Sequence, residues 1–301
     1  YREKINDRLK GGKFLFDISV STHCNLKCRM CGPTVSTKWH EDYKKLVNSD
    51  VDIWSIPKEL GIYNTNSQHV QMILDFIKNN DYYFYIDIKG GEPLTNPMTK
   101  KLLEDLVNTK KSNNITINFV TNGTYKCDWL IDLVPKFKKF SINISIDGIE
   151  KLYDYIRGSN VISWEDFLET FNTYQTLPIS INYVIQNLNV HQLYKFSKYF
   201  NKTYINWIVL VQPSILTINV IPKNARSYIL KEISPILDTY KDNHIIKNIM
   251  NELKKEDDLD KKLYTKFIKY SAALDKIRNQ SLLDVAPHLI TNEGLKIYES
   301  V

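Results

Sequence analysis

Three of the four cysteines are placed where their thiolates could share a metal centre. Cys24, Cys28 and Cys31 lie within a stretch of eight residues, whereas Cys127 lies far away in the chain. Secreted domains distribute their cysteines along the chain to form disulfides, but a tight trio is the spacing of metal ligands in a reducing compartment. The spacing therefore predicts that these three thiolates bind metal.

The number of thiolates narrows the choice of metal. A structural zinc site takes four protein ligands, usually in two separated pairs. His23 or His40 could complete a Cys3His zinc site, although neither is well spaced for it. Three thiolates can instead bind a cubane iron–sulfur cluster through three irons and leave the fourth iron open to an exogenous ligand. We favour the cluster, because an open coordination position supports catalysis.

The cysteines follow directly on a predicted strand. The apolar run Phe14–Val20 is β-rich, and the pattern Cys-x3-Cys-x2-Cys comes next. This order resembles the radical S-adenosylmethionine (SAM) superfamily. The resemblance implies a [4Fe-4S] cluster and SAM as cofactors. In that family the unique iron chelates SAM, an electron from the cluster cleaves the sulfonium bond, and the 5′-deoxyadenosyl radical abstracts a substrate hydrogen.

A second motif ends the next predicted strand. The β-rich run Tyr82–Ile88 leads into Lys-Gly-Gly-Glu-Pro at residues 89–93, and a helical pattern follows over Met98–Leu106. This motif looks like the second-strand motif of the same family. The resemblance implies that the two glycines let the backbone approach a ligand, while Glu92 and neighbouring carbonyls accept hydrogen bonds from the SAM ammonium group.

The most specific motif lies at the end of the fourth predicted strand. Ser145-Ile-Asp147-Gly, followed by Asp154-x-x-Arg157-Gly, resembles a signature of radical SAM enzymes with a SPASM or twitch extension. The resemblance implies that Ser145 contacts polar groups of SAM and that Arg157 pairs with its carboxylate, which a planar guanidinium suits. Asp147 has two candidate roles: it accepts hydrogen bonds from substrate or ribose, or it holds the turn at Gly148.

The third predicted strand, Ile115–Val120, is followed by Thr-Asn-Gly-Thr. In this position Thr-Asn-Gly resembles the sequence found in radical enzymes of the peptide-modifying branch. We interpret Cys127, just beyond it, as a buried structural cysteine. The predicted site thus combines the catalytic metal ligands Cys24, Cys28 and Cys31 with a set of cofactor contacts. Those contacts are Met30, Gly90, Gly91, Glu92, Pro93, Asn122, Ser145, Asp147, Arg157 and Gln186.

These motifs belong to six strand-then-helix units, which predict an α/β fold. Two further strands, Pro178–Ile185 and Tyr204–Val211, complete the pattern, and the apolar segment Trp207–Val211 suits a buried strand. Alternating strands and helices imply a parallel sheet with right-handed crossovers, here a partial (β/α)6 TIM-like barrel of the radical SAM type. Each motif follows a strand, so all should meet at the C-terminal rim, where barrel enzymes bind ligands.

We expect three parts: an N-terminal lead-in over residues 1–13, the barrel over 14–211, and a twitch-like, mostly helical extension over 212–301. Residues 32–70 form a long insertion that we expect to face substrate. The insertion carries Trp39, His40, Trp54 and Pro57, of which Trp39 and His40 suit packing better than direct chemistry. Residues 212–222 predict a short hairpin or rim strand. The extension resembles the tail of twitch-type proteins around Ala273–Arg278 but has no cysteines, which argues against an auxiliary cluster.

Charge and composition set limits on partners. The net charge of +6 is spread without blocks of like charge, so it does not by itself indicate nucleic-acid binding. No apolar run is long enough to cross a bilayer, and the reduced cysteine trio suits a cytoplasmic protein. The family resemblance implies a flavodoxin- or ferredoxin-type electron donor and a peptide, protein or small amino-acid-like substrate. The alternatives are modification of a nucleobase or nucleotide and a non-catalytic metal-binding module.

The sequence predicts which cysteines hold the cluster. Anaerobic reconstitution should load about four irons and four sulfides per chain. A Cys127→Ala variant should load as much as the wild type, whereas Ser at any of the other three positions should abolish loading. Iron and sulfide analysis checks this, and zinc in place of iron, or loss of iron in the Cys127 variant, would contradict it.

Overall fold

One parallel sheet organises the protein. The computed structural model describes residues 12–47, 51, 60–158 and 161–301, so most of the predicted lead-in over 1–13 lies outside the described residues. Within those ranges, six strands form one sheet in sequence order. They are β1 (Lys13–Ser19), β2 (Tyr83–Lys89), β3 (Ile115–Thr121), β4 (Lys139–Ser145), β5 (Ile179–Ile185) and β6 (Ile205–Val209). This topology confirms the predicted α/β partial barrel.

The side chains of the strands alternate between a fully buried and a partly buried face. In β3, Ile115, Ile117 and Phe119 are completely buried, while the residues between them are partly exposed. Each strand pairs in parallel with its neighbour, as where Ile86 of β2 aligns with Ile117 of β3. Because parallel strands in register end at the same edge, the segments that follow them meet there.

Helices cover the sheet between the strands, and asparagine and serine side chains cap several of them. The Asn66 and Asn96 side chains accept hydrogen bonds from the Gln68 and Met98 N–H groups respectively, as N-caps do. In chain order these helices are α1 (Trp39–Leu46), α2 (Ser67–Asn79), α3 (Pro97–Asn108), α4 (Asp128–Leu133), α5 (Lys151–Arg157), α6 (Trp164–Thr173) and α7 (Leu193–Tyr199).

The last strand differs from its prediction. We expected a buried strand through Val211, but β6 ends at Val209 at an edge of the sheet; Trp207 is buried, whereas Val209 and Val211 are exposed. An apolar run alone does not show whether a strand has a neighbour on both sides. The predicted hairpin or rim strand after it is also wrong, since two short 3-10 turns, Ser214–Leu216 and Ile218–Val220, occupy that segment.

The C-terminal third is helical, as expected. Its longest helix contacts α1 and the final helix. The side chains of Phe267, Ile268 and Leu274 on this helix are fully buried. Among the described residues, no helix is long and apolar enough to cross a membrane. In chain order these helices are α8 (Lys223–Ile233), α9 (Leu237–Tyr240), α10 (His244–Leu253), α11 (Lys261–Arg278), α12 (Leu282–Val285) and α13 (Asn292–Glu299).

The predicted insertion over residues 32–70 buries several side chains around α1, whereas most of residues 61–70 are exposed. Trp39 is fully buried, which confirms its packing role, and the His40 ring hydrogen-bonds to the Pro33 carbonyl at 3.0 Å. Trp54 and Pro57 lie outside the described residues. Since α1 packs on α11, this part of the insertion connects the barrel to the C-terminal helices.

Candidate active site

The segment that carries the cysteines crosses the carboxyl ends of the strands. Residues 20–38, here called the cysteine loop, are held there by backbone hydrogen bonds. The Glu92 N–H donates to the His23 carbonyl at 2.8 Å, and the Arg29 N–H donates to the Ile156 carbonyl at 2.7 Å. The loop is therefore tied to the ends of two different βα units.

Glycines after the second strand make room for this loop. A Cβ on Gly91 would collide with the His23 carbonyl, and a Cβ on Gly90 would collide with the Ser19 side chain. Both glycines also have positive φ, which other residues rarely adopt. The sequence predicted that these glycines make space for a ligand, but the close neighbour at each is the protein's own chain.

One cavity of about 180 Å³ joins the three cysteines to several of the other predicted residues. Gly90, Gly91, Asn122, Ser145 and Arg157 line it together with Cys24, Cys28 and Cys31. Leu26, Val35, Ser36, Val120 and Thr121 complete its lining. We call it the cysteine cavity. The fold thus brings together residues that lie more than a hundred positions apart in the sequence.

The thiols of the cysteine loop differ in acidity. Burial raises the pKa of Cys24 to about 12, and the nearby Cys28 adds to this shift. A hydrogen bond from the Cys31 thiol lowers the pKa of Cys28, helped by the positive charges of Arg157 and Arg278. Because metals bind thiolates, loading this site releases protons and is favoured as the pH rises. Three thiols and a guanidinium that line the same cavity suit an anionic metal–thiolate cluster.

Arg157 is the cation of the cysteine cavity. Its Nη1 donates to Asp147 Oδ2 at 2.8 Å, but its buried Nε has no hydrogen-bond partner. Burial lowers the pKa of Arg157, but Cys28 and Asp147 raise it more, so the group remains charged. Since a buried donor without a partner is costly, this position suits an anionic group of a ligand.

Asp147 is held by contacts within the protein. It is fully buried, and its two carboxylate oxygens accept hydrogen bonds from Arg157 and from the Val184 N–H. It makes no bond to the Gly148 turn and is absent from the lining of the cysteine cavity. Asp147 thus joins the end of β4 to β5 and orients Arg157, and its predicted hydrogen bonds to substrate or ribose stay a prediction.

Glu92 is likewise occupied by the protein. Its buried carboxylate accepts hydrogen bonds from Thr121 Oγ1 at 2.7 Å, the Asn122 N–H at 2.6 Å and the Leu94 N–H at 3.0 Å. Burial raises the pKa of Glu92, and these donors oppose the shift. The carboxylate therefore joins the ends of β2 and β3. It does not line the cysteine cavity, and its predicted contact with the SAM ammonium group stays a prediction.

The remaining predicted contacts lie outside the cavity lining. Met30 packs on the small apolar cluster of Cys24, Leu26 and Cys28. Pro93 begins a short 3-10 turn. Gln186 is fully buried at the end of β5, and neither polar atom of its side chain has a partner. Contact between these residues and a cofactor stays a prediction.

Sequence reasoning missed the residues that hold the cysteine loop from its other side. Arg29, between two of the cysteines, is buried and forms an ion pair with Asp275 of α11. Arg278 of the same helix donates to Asp42 at 2.8 Å. The one sequence feature noted in this helix was the segment Ala273–Arg278, which resembles the tails of twitch-type proteins. That resemblance did not indicate a contact with the cysteine loop.

These features define a barrel enzyme whose metal-binding loop lies at the carboxyl ends of the strands. The family model of the Radical SAM superfamily matches residues 18–198, more than half of the chain. The chain belongs to the Radical SAM superfamily. As an enzyme of this family, it uses a [4Fe-4S] cluster and SAM.

Relatives and solved structures resemble the barrel. An uncharacterized protein of Methanocaldococcus jannaschii is 25% identical over 190 residues, covering 60% of this chain and 56% of its own. A probable GTP 3′,8-cyclase of Methanococcus vannielii is 26% identical over 188 residues, covering 62% and 54%. The chain thus matches about half the length of these relatives. The structure of native anSMEcpe with bound AdoMet and Cp18Cys peptide superposes with a TM-score of 0.52 at 17% identity, covering 78% of this chain and 62% of that one.

The geometry predicts that Glu92 stabilises the fold before any cofactor binds. In Glu92→Gln, the amide oxygen can replace Oε1, but the amide NH2 then faces the Asn122 N–H. Two opposed donors should cost about 1–3 kcal/mol of the free energy of unfolding. Urea denaturation of the metal-free protein measures this.

The matched control is Glu169→Gln, because Glu169 is exposed and pairs only with Lys126 at the surface. It should change the free energy of unfolding little. Equal stability of the two variants would contradict the role assigned to Glu92.

Proposed function

We infer that this enzyme binds its cluster and SAM in the cysteine cavity and modifies a peptide or protein substrate. The observation that carries this proposal is the shared cavity of three loop thiols and a buried guanidinium with an unpaired donor. Thiolates suit the irons, and the guanidinium suits the carboxylate of SAM. The irons of the cluster and the carboxylate of SAM therefore both have binding partners that line the cysteine cavity.

The chain's own residues have distinct tasks in this proposal. Cys24, Cys28 and Cys31 ligate the cluster; Cys24 and Cys28 are buried, and Cys31 is half-buried. Arg157, fixed by Asp147, holds the carboxylate of SAM, while Ser145 hydrogen-bonds its polar groups. The reduced cluster, when bound, would supply the one electron that cleaves the C5′–S bond of SAM into methionine and a 5′-deoxyadenosyl radical, which takes a hydrogen atom from the substrate.

A peptide substrate agrees with the motif at residues 145–158, which resembles the SPASM and twitch branch. The anSMEcpe structure, which shares the fold, is described with a bound peptide. Among the described residues, no strand pairs with the outer side of β6, although α10 contacts this strand. An extended peptide could pair with such an edge. Because residues 128–301 contain no cysteine, we propose that this chain binds substrate without a second cluster there.

Nucleotide modification is the second candidate. It is favoured by the match to the probable GTP 3′,8-cyclase and agrees with the net charge of +6. A nucleotide would need cationic or backbone N–H partners for its phosphates. The two candidates share the cofactor chemistry and differ only in which molecule loses hydrogen.

The site also requires a source of electrons. We propose a flavodoxin- or ferredoxin-type donor in a reducing cytoplasm, because the four cysteines of the described residues are free thiols.

Reductive cleavage of SAM tests the proposal. With dithionite under anaerobic conditions, the cluster-loaded protein should convert SAM slowly to 5′-deoxyadenosine. A pool of deuterated peptides should accelerate this reaction and transfer deuterium into 5′-deoxyadenosine, as mass spectrometry would show. Transfer from deuterated ribonucleotides instead would support the second candidate, and no 5′-deoxyadenosine under any condition would contradict both.

A pair of variants tests the cofactor contact. Arg157→Gln should weaken SAM binding by about tenfold or more, since a charge-assisted hydrogen bond is lost. Arg226→Gln is the matched control, because Arg226 is also buried but donates to the Ile221 and Lys255 carbonyls. Equal SAM affinity in the two variants would remove Arg157 from the site.

A further inference from the structure

The C-terminal helix α11 lies against the cysteine loop on the side away from the strand ends. The buried side chains of this helix include Phe267, Tyr270, Asp275 and Arg278. We propose that Asp275, Tyr270 and Arg278 are positioning residues for the iron–sulfur site, which fix the loop between Cys28 and Cys31 and balance its charge. This inference rests on the proposed function of the cysteine loop.

The central contact is an ion pair inside the protein. Arg29 follows Cys28 directly, and its Nη2 donates both to Asp275 and, at 3.1 Å, to Gln280 Oε1. Its Nε donates to the Tyr155 carbonyl at 2.9 Å, and its guanidinium lies 3.5 Å from the centre of the Tyr155 ring. Arg29 is only 1% exposed, so its charge depends on Asp275 for compensation.

The carboxylate of Asp275 organises more than this ion pair. Its Oδ2 accepts hydrogen bonds from Tyr155 at 3.2 Å, Tyr298 at 2.6 Å and the Leu282 N–H at 2.7 Å. These donors come from α5 and from the segments after α11. One carboxylate thus connects the cysteine loop, the barrel and the C-terminal helices.

The loop backbone is held at two further points. The Tyr270 hydroxyl donates to the Arg29 carbonyl at 2.9 Å. The Trp39 Nε1 donates to the Cys28 carbonyl at 2.8 Å, and Arg278 lies 4.7 Å from the centre of the Trp39 ring while it pairs with Asp42. Side chains of α11 therefore act on the carbonyls of two consecutive loop residues, directly or through Trp39.

This arrangement gives the C-terminal helices a role at the cysteine loop. Groups that orient metal ligands from outside the ligand sphere tune both affinity and electronic properties. The reduction potential of an iron–sulfur cluster responds to nearby net charge. The buried pair between Arg29 of the cysteine loop and Asp275 of α11 should consequently influence the cluster without touching it.

Three variants test the charge balance. Asp275→Asn leaves the Arg29 charge unpaired, so the midpoint potential of the cluster should rise. Arg29→Gln leaves the Asp275 charge unpaired, so the potential should fall. The double variant Arg29→Gln/Asp275→Asn should lie between the two. A role in stability alone predicts no such opposite shifts, which redox titration followed by electron paramagnetic resonance would measure.

Iron release and thiol labelling test the positioning itself. Asp275→Asn should release iron to a chelator about tenfold faster than the wild type, the size of effect that loss of an outer partner has in metal sites. Iodoacetamide labelling of metal-free protein gives the rates at Cys28 and Cys31 relative to the rate at Cys127 in the same chain. These relative rates should be higher in Asp275→Asn than in the wild type. Should Asp275→Asn not fold, Tyr270→Phe carries the test, because it removes only the hydroxyl that holds the Arg29 carbonyl.

The matched control is Arg226→Gln, which removes a buried arginine whose described contacts do not involve the cysteine loop. It should leave the potential, the iron release rate and the labelling ratio at wild-type values. Wild-type iron release and labelling ratios in both Asp275→Asn and Tyr270→Phe would overturn the inference. Failure of the wild type to hold a cluster would refute the proposed function, while the labelling of metal-free protein would still decide the positioning role.

Discussion

The site depends on how closely the cysteine loop packs over the ends of the strands. The His23 carbonyl occupies the space where a side chain at residue 91 would be, and it accepts a hydrogen bond from the Glu92 N–H. The Glu92 carboxylate in turn holds the backbone at Asn122, whose side chain lines the cysteine cavity. A single close approach between two loops therefore sets the position of the cysteines relative to three strands.

Buried charges extend this arrangement on both sides of the loop. On the strand side, Asp147 holds Arg157 beside the cavity, while the buried Nε of Arg157 has no hydrogen-bond partner among the described residues. On the other side, Asp275 pairs with Arg29. Breaking a buried pair by removing one partner is costly, because the remaining charge has neither water nor a counter-ion. The two aspartates thus place fixed positive groups around the thiols, where an anionic cluster and an anionic cofactor group would bind.

The sequence predicted the local features well. Strands such as Ile115–Thr121 and the motifs that end them follow from alternation and glycine positions over a few residues. It did not predict the roles of Asp147 and Glu92, because their partners lie on neighbouring strands and become adjacent only in the folded sheet. Arg29 and Asp275 are 246 positions apart, beyond any local pattern. The exposure of β6 was missed for a similar reason, since an edge strand and an inner strand have similar apolar runs.

The central claim is that Cys24, Cys28 and Cys31 bind a cluster with one iron left open to SAM. Mössbauer spectroscopy of protein reconstituted with 57Fe, before and after addition of SAM, tests it most directly. With SAM, one iron site in the [4Fe-4S] cluster should change its isomer shift and quadrupole splitting while the others keep theirs. A spectrum in which all irons are equivalent and unaffected by SAM would contradict the account.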